Sequence, residues 1–403
     1  MSADHASLAK QYSRRVIAEA LLHATSISRA DLARTTGLSK QTTSLVIAEL
    51  EAAGWVKPTG VATGGVGRNA VTYEVVGGAA YSLGVDLGGT KVTAAIANLP
   101  GEIVAEATEP TDPRGGREVL RQIRVLADRI SAQRGIDVQR IQSIVVGTPG
   151  VVDPATGAVS LVPNIRGLSD ISVPKLLAEH FGREVGVEND VNLAVLGEAW
   201  QGCARDCQNA AFLSLGTGVG LGLIVNGKLV RGAAGAAGEI AYLPIGADVT
   251  SPEALAVGAF ELEVGAAGIL RGHHAISARP VGTVRELFAL LDAGDEAAGR
   301  ALDATAASIA LAITAVQSIV DTERVILGGS IGIRPELVER VRQRMGAVFA
   351  RKATICASAL GARAGVVGAV SLAVHRLHND LFGISGLPNE LALPPINLAR
   401  AAE

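Results

Sequence analysis

LGVDLGGTKVTAAIANLPGEIV, residues 83–104, decides how the larger part of this chain folds. An apolar run breaks at Gly88-Gly89, restarts at Lys91, and breaks again at Pro100-Gly101. That punctuation predicts strand, glycine turn, strand, polar turn, strand. LSLGTGVGLGLIVNGKLV, residues 213–230, reads the same way. Two glycine-turn hairpins about 130 residues apart predict two related lobes. A turn without Cβ atoms lets an anion approach backbone N–H groups. The first turn offers Gly88, Gly89, Thr90 and Lys91 behind Asp86, and the second offers Gly216, Thr217 and Gly218. A third stretch, VILGGSIG at 325–332, ends an apolar strand in Gly328-Gly329 before a helix, which suits the nucleotide end of a cleft. None of these is a Walker loop or a Rossmann fingerprint.

VGVENDVNLAVLGEAW sets Asn189-Asp190 between a short strand and a helix. A carboxylate there can accept the proton of a sugar hydroxyl, as phosphoryl transfer to an alcohol requires. It can equally cap the helix.

The first 78 residues read differently. Residues 8–24 predict an amphipathic helix, with Leu8, Tyr12, Val16 and Ala20 on one stripe and Ile17 and Leu21 beside it. In SRADLARTTGLSKQTTSLVIAELEAAGWV, residues 28–56, Ser28 can cap a short helix carrying Leu32 and Ala33, and Gly37 turns. Ser39 can cap a second helix that buries Val46, Leu50 and Ala53 and stops at Gly54. Its front is polar: Lys40, Gln41, Thr42, Thr43 and Ser44 could meet base edges and phosphates in a major groove. Trp55-Val56 and Val71–Val75 predict two strands around a glycine-rich loop containing Arg68. A helix, a turn, a second helix and a hairpin match a winged helix-turn-helix, whose wing arginine would probe a minor groove. A helical dimerisation module without DNA contact is the competing reading.

Composition narrows the classes. The chain has 403 residues, 48% hydrophobic and 19% charged, with only 3% aromatic and 48 glycines. That length exceeds one core, and the balance is that of a globular chain. Net charge is −3, but residues 1–80 hold eight basic against six acidic side chains, so a mildly basic head precedes an acidic body. No apolar run reaches the 18 or so residues that span a bilayer, and the opening MSADHASLAKQYSRR lacks a signal-peptide core. The expected location is the cytoplasm, with no membrane partner. Cys203, Cys207 and Cys356 make no disulfide framework. Cys203 and Cys207 read as small residues on the helix after Asp190.

In order, the glycine hairpins resemble the sugar-kinase branch of the actin-like ATP-binding fold. GTPGVVDPATGAV at 147–159, ENDVNLA, and GAAGAAGEI at 232–240 sharpen this: the body resembles the ROK family of repressors and sugar kinases. The N-terminal winged head resembles that of the repressor branch. The resemblance implies an α/β, two-lobed sugar-kinase-like body behind a winged helix-turn-helix. The domains would be residues 1–78, 79–188 and 189–403, with the last helix a candidate to return to the first lobe. It also implies that Asn189, Asp190, Glu239 and Glu261 face a sugar. The family carries a histidine and three cysteines that bind structural zinc where this chain has Tyr242, Pro252, Ala254 and Ala259. Those side chains cannot replace imidazole and thiolates, so no zinc is expected, and Tyr242 alters the sugar pocket. Leu255, Val257 and Phe260 would then hold the loop by packing.

The expected function is a DNA-binding regulator, a repressor of carbohydrate metabolism. It would act as a homodimer or homotetramer on an inverted-repeat operator and respond to a sugar or sugar derivative. The two lobes would supply a hinge. The alternative is a sugar kinase with an appended head, with Asp190 as base and ATP with Mg²⁺ as cofactors. A body serving only as a dimerisation scaffold fits less well with the surviving polar pocket residues.

Overall fold

Serine caps and glycine stops shape the N-terminal segment of the computed structural model, which describes residues 2–62, 70–162 and 164–383. Helix α1 (Ser2–Leu22) buries Ser13, Ile17, Ala18, Leu21 and Leu22. The expected stripe is therefore displaced: Leu8 and Tyr12 are exposed and Val16 and Ala20 only partly buried. Ile17, Leu21 and Leu22 remove more apolar surface from water and turn the helix to their side. After β1 (Ile27–Ser28), Ser28 Oγ accepts the Asp31 N–H at the start of α2 (Arg29–Thr36), and Gly37 ends it at φ 70°. Ser39 Oγ accepts the Thr42 N–H at the start of α3 (Lys40–Ala52). This helix buries Thr43, Val46, Ile47 and Leu50. Ala53 is exposed, not buried as expected, because it already lies past the last helical residue. Strands β2 (Val56–Ala62) and β3 (Ala70–Val75) pair antiparallel, and β1 adds to β3. Arg68 lies outside the described residues.

The body repeats one sheet twice. In the first, β4 (Tyr81–Leu87), β5 (Lys91–Asn98) and β6 (Ile103–Pro110) form an antiparallel meander. The amphipathic α4 (Gly116–Gln133) leads to β7 (Ile141–Thr148), which lies parallel to β4. A small pair, β8 (Val151–Val152) and β9 (Val159–Ser160), precedes α5 (Val173–Phe181) and β10 (Gly186–Asn189). The sheet order is β10-β7-β4-β5-β6. After α6 (Asp190–Gln201), β11 (Ala210–Leu215), β12 (Val219–Val225) and β13 (Lys228–Leu229) form the second antiparallel meander. Five helices follow: α7 (Pro252–Val257), α8 (Ala259–Val264), α9 (Ala266–His274), α10 (Val284–Asp292) and α11 (Glu296–Val320). Next come β14 (Arg324–Gly328), α12 (Gly329–Gly332), α13 (Pro335–Val348), β15 (Ile355–Ala357) and α14 (Ala364–Phe382). The second sheet runs β13-β12-β11-β14-β15, the same order of elements as the first.

Helix α11 is long and apolar enough to cross a membrane by length and composition. Leu302, Ala306, Ile309, Ala310 and Ile313 instead join the core that Leu213, Phe260 and Leu327 build around the second sheet.

The chain divides into two compact units, and the division departs from the expected boundaries. Among the described residues, the first unit holds 2–62, 70–148, 164–187 and 369–383, and the second holds 149–162 and 188–368. The head is not a unit of its own. Its core of Ile17, Leu21, Leu50 and Tyr73 continues into Ala80, Leu99 and the end of α14, Leu377 and Phe382. Trp55 meets the Phe382 ring edge-on at 6.2 Å, and His378 Nε2 lies 2.7 Å from the Leu99 carbonyl. Gly84 admits this helix, since a Cβ there would come within 2.4 Å of the Val370 nitrogen.

Candidate functional site

In the second unit, three sequence runs far apart in the chain are tied together. Asn189 is the cap of α6: its Oδ1 accepts the N–H groups of Val191 and Asn192, at 2.9 and 3.0 Å. Its Nδ2 donates to the Gly150 carbonyl. The amide thus fastens the GTPGVVDPATGAV run to the helix start, which leaves Asn189 largely a positioning residue. Asp190 follows as the first helical residue, half-buried. Glu188, buried, accepts from the Asn189 N–H, from Asn192 Nδ2 and from Arg231 Nε at 2.7 Å. Arg231 stands just before GAAGAAGEI, so this ion pair joins that run to Asn189-Asp190. Gly235 brings the run against the first: a Cβ there would lie 2.0 Å from the Val152 carbonyl oxygen.

The start of α6 also lies against β12, where a Cβ at Gly222 would sit 2.5 Å from the Val191 carbonyl oxygen. At the head of β12, the Glu261 carboxylate accepts the Val219 N–H at 2.8 Å and borders Gly218. Burial raises the Glu261 titration, the Val219 N–H opposes this, and the Glu239 charge adds to it. Glu239 is surface-accessible, yet surrounding protein atoms raise its titration too. Two neighbouring carboxyl groups, both with raised titration, form a polar patch able to exchange hydrogen bonds with hydroxyls. Tyr242, one short 3-10 turn beyond Glu239, is 45% exposed.

The glycine turns of the second unit stand together at the ends of parallel neighbours β11 and β14. Gly216 faces Ser330, and Gly329 at φ 75° passes so close to Leu215 that a Cβ would meet its carbonyl oxygen at 2.3 Å. The turn of the first unit is a tight hairpin: the Gly88 N–H donates to the Lys91 carbonyl, and Thr111 Oγ1 donates to the Gly88 carbonyl. Gly89 and Thr90 are exposed. Desolvation raises the Asp86 carboxyl to about 6, with the Lys91 ammonium pulling the other way.

A ROK family model matches residues 82–376. The chain belongs to the ROK family. It is 30% identical over 242 residues to the xylose repressor of Caldicellulosiruptor bescii, covering 59% of this chain and 60% of that protein. It is 29% identical over 290 residues to a beta-glucoside kinase of Listeria monocytogenes, covering 71% of this chain and 94% of the kinase. The crystal structure of a ROK family transcriptional regulator, a homologue of the E. coli MLC protein, matches with a TM-score of 0.71 at 22% identity. It covers 93% of this chain and 98% of that one. The chain thus shares its fold with a regulator along nearly its whole length, while repressors and sugar kinases are comparably similar in sequence.

The loop that the sequence resemblance aligns with a zinc site has an apolar interior. Ala254 and Ala259 are each 3% exposed, and Phe260 is fully buried. Leu255, expected to pack the loop, is 68% exposed. Tyr242, Pro252, Ala254 and Ala259 offer at most one phenol, and this set does not fit a zinc ion.

On α3, Lys40 and Gln41 are exposed and Ser44 partly so. Thr42 pairs its hydroxyl with Ser39 within the cap. Thr43 corrects the sequence reading: it is fully buried, so it faces the core and cannot touch DNA. Leu45, 59% exposed, was missed, although positions 41, 45 and 48 share one helix face. Glu188 and Arg231 were also missed, because no local pattern links residues 43 apart. Cys203 and Cys207 lie beyond the end of α6 at Gln201, in the turn after it, and not on the helix. A cavity of about 560 Å³, lined in part by Glu253, Glu263, Arg271 and Arg300, contains none of the residues the sequence nominated.

Proposed function

We propose that this ROK protein is a transcription regulator whose winged helix-turn-helix head reads an operator, and whose body binds a sugar or sugar derivative that changes operator affinity. The observation that carries this reading is the outer face of α3: a serine-capped helix after a glycine turn, presenting Lys40, Gln41, Ser44 and Leu45 to solvent. Lysine suits phosphates, glutamine an adenine edge and leucine a thymine methyl. Two heads on an inverted repeat would follow from a two-fold dimer. In the body, Asp190, Glu239 and Glu261 would be the sugar-facing carboxylates; Asn189, Glu188 and Arg231 hold the helix start that carries Asp190, and the Val219 N–H holds Glu261.

The test selects bound sequences from random DNA with the full-length protein, then adds a panel of sugars. Gln41→Ala should cost about 1–3 kcal/mol on the selected site and relax one base position. Lys40→Ala should weaken all sequences alike and reduce the salt slope by about one. Failure to enrich any sequence, or enrichment indifferent to both substitutions, would refute the head assignment.

A second reading, sugar kinase, is favoured by Asp190 at the helix start and by the intact glycine turns. ATP would lie on the N–H groups around Gly216–Gly218 and Gly328-Gly329 and would supply the phosphoryl group. Asp190 would take the hydroxyl proton. ADP release with a sugar, abolished by Asp190→Asn while sugar binding persists, would establish it.

A further inference from the structure

The three cysteines are scattered in sequence, and the fold gathers them at one place. Cys203 Sγ and Cys356 Sγ are 3.3 Å apart across 153 residues of chain, and Cys207 packs against the same apolar cluster. All three are free thiols, partly exposed. Cys203 lies in the turn after α6, and Cys356 is in β15, the edge strand of the second sheet.

The pair is held in register by a buried carboxylate. Glu198, fully buried on α6, accepts the Cys203 N–H with Oε2. Its Oε1 accepts the Ser358 hydroxyl and the Leu360 N–H, on the segment just after Cys356. One side chain thus fastens the backbones on both sides of the sulfur pair. A disulfide needs the sulfurs at about 2.05 Å, so closure asks for little over 1 Å of movement.

We propose that Cys203 and Cys356 are an oxidant-responsive pair that hydroperoxides convert to an internal disulfide, Cys356 reacting first and Cys203 resolving. The order follows from the charges around the sulfurs. The hydrogen bond it shares with Cys203, and after burial Arg324 and Arg342, favour the Cys356 thiolate, while burial and Glu198 oppose it. The hydrogen bond to Cys356, burial and Glu198 hold the Cys203 proton on. The thiolate is the nucleophile in such chemistry. Cys356 sulfur attacks one peroxide oxygen, the O–O bond breaks, and the second oxygen leaves as hydroxide and becomes water, giving a sulfenic acid. Cys203 sulfur then attacks that sulfur: the S–S bond forms, the S–O bond breaks, and the Cys203 proton leaves with the hydroxyl as water. Two thiols lose two electrons, which the peroxide gains. Cys207, raised by burial, stays reduced. The bridge would rivet the trailing end of α6, whose leading end carries Asp190, to the edge strand of the sheet.

The experiment uses the full-length protein, reduced, freed of reductant and treated with hydrogen peroxide. Free thiols per chain should fall from three to one and return to three with reductant. Non-reduced peptides should carry a Cys203–Cys356 link within one chain. C207S should fall from two to none. In C203S, dimedone should label Cys356 as its sulfenic acid, and in C356S no bridge should form. The proposal is overturned if wild type keeps three thiols at peroxide levels that oxidise a peroxide-sensitive thiol protein used as control. A bridge through Cys207, one only between chains, or dimedone labelling of Cys203 in C356S at the wild-type rate overturns it equally. These outcomes do not depend on DNA or sugar binding.

Discussion

Two residues show how burial separates roles that look alike in sequence. Thr43 sits among the polar residues at the front of α3, yet its hydroxyl is buried without a hydrogen-bond partner among the described residues. An unsatisfied buried hydroxyl carries its desolvation cost uncompensated. Thr43→Val keeps the shape and removes that cost, so it should stabilise the protein by about 1 kcal/mol and leave operator affinity unchanged; chemical denaturation and DNA titration measure both. A loss of DNA binding would mean that Thr43 does face the groove. Asp86 is the opposite case, a partly buried carboxyl at a proposed phosphate turn, desolvated by the protein atoms around it. It titrates at 3.8 in an ordinary setting and at about 6 here. Between those values the native state holds the proton more tightly than the unfolded chain, so this group's contribution is most favourable below pH 4 and is lost as pH rises towards 6. The charged form costs up to about 3 kcal/mol. Asp86→Asn should therefore raise the melting temperature at pH 7, and the gain should vanish by pH 4. An equal gain at both pH values would show that the charge is not its source.

At the scale of elements, the zinc loop makes the sharpest statement. A structural zinc contributes folding free energy outright where its ligands exist. Here two of the four positions that the resemblance aligns with zinc ligands are buried alanines. Purified protein should carry no stoichiometric zinc, and chelator should leave its melting temperature and sugar response unaltered. One zinc per chain, lost together with folding, would mean ligands from elsewhere in the chain. Elements of this kind were legible where the signal is local. Ser28, Gly37, Ser39 and Gly54 mark helix ends within a residue or two, and Gly88-Gly89 and Gly216–Gly218 mark both meander turns. Faces were harder to read. Leu8 and Tyr12 fit the period of α1 as well as Ile17 and Leu21 do, and only the partners of the helix decide between them. The site was half legible: Asp190, Glu239 and Glu261 lie in recognisable runs, while the Glu188–Arg231 pair and the Cys203–Cys356 contact exist only once the chain is folded.

For the whole molecule, α14 is the element that sequence periodicity could not locate. Its first residues belong to the second unit, where Gly368 packs so closely on α6 that a Cβ would meet the Leu193 carbonyl oxygen at 1.7 Å. Its last residues belong to the first unit and complete the core of the head. Phe382 is 3% exposed, with the Trp55 ring edge-on and the Arg14 guanidinium 5.9 Å from the centre of its ring. Removing such a ring from a core costs about 3–5 kcal/mol. Phe382→Ala should loosen α1 and α3, some 330 or more residues away in sequence, while the body keeps its own two sheets and their cores. We expect faster amide exchange at Ile17, Leu21 and Leu50, weaker operator binding, and sugar binding within error of wild type. A head that exchanges and binds as before would show that its core closes without α14. The same packing explains why a cut at residue 78 is a poor test of the head: it would expose Leu377 and Phe382 on one side and Ile17 and Leu50 on the other. Point substitutions in the full chain separate loss of DNA contact from loss of that shared core.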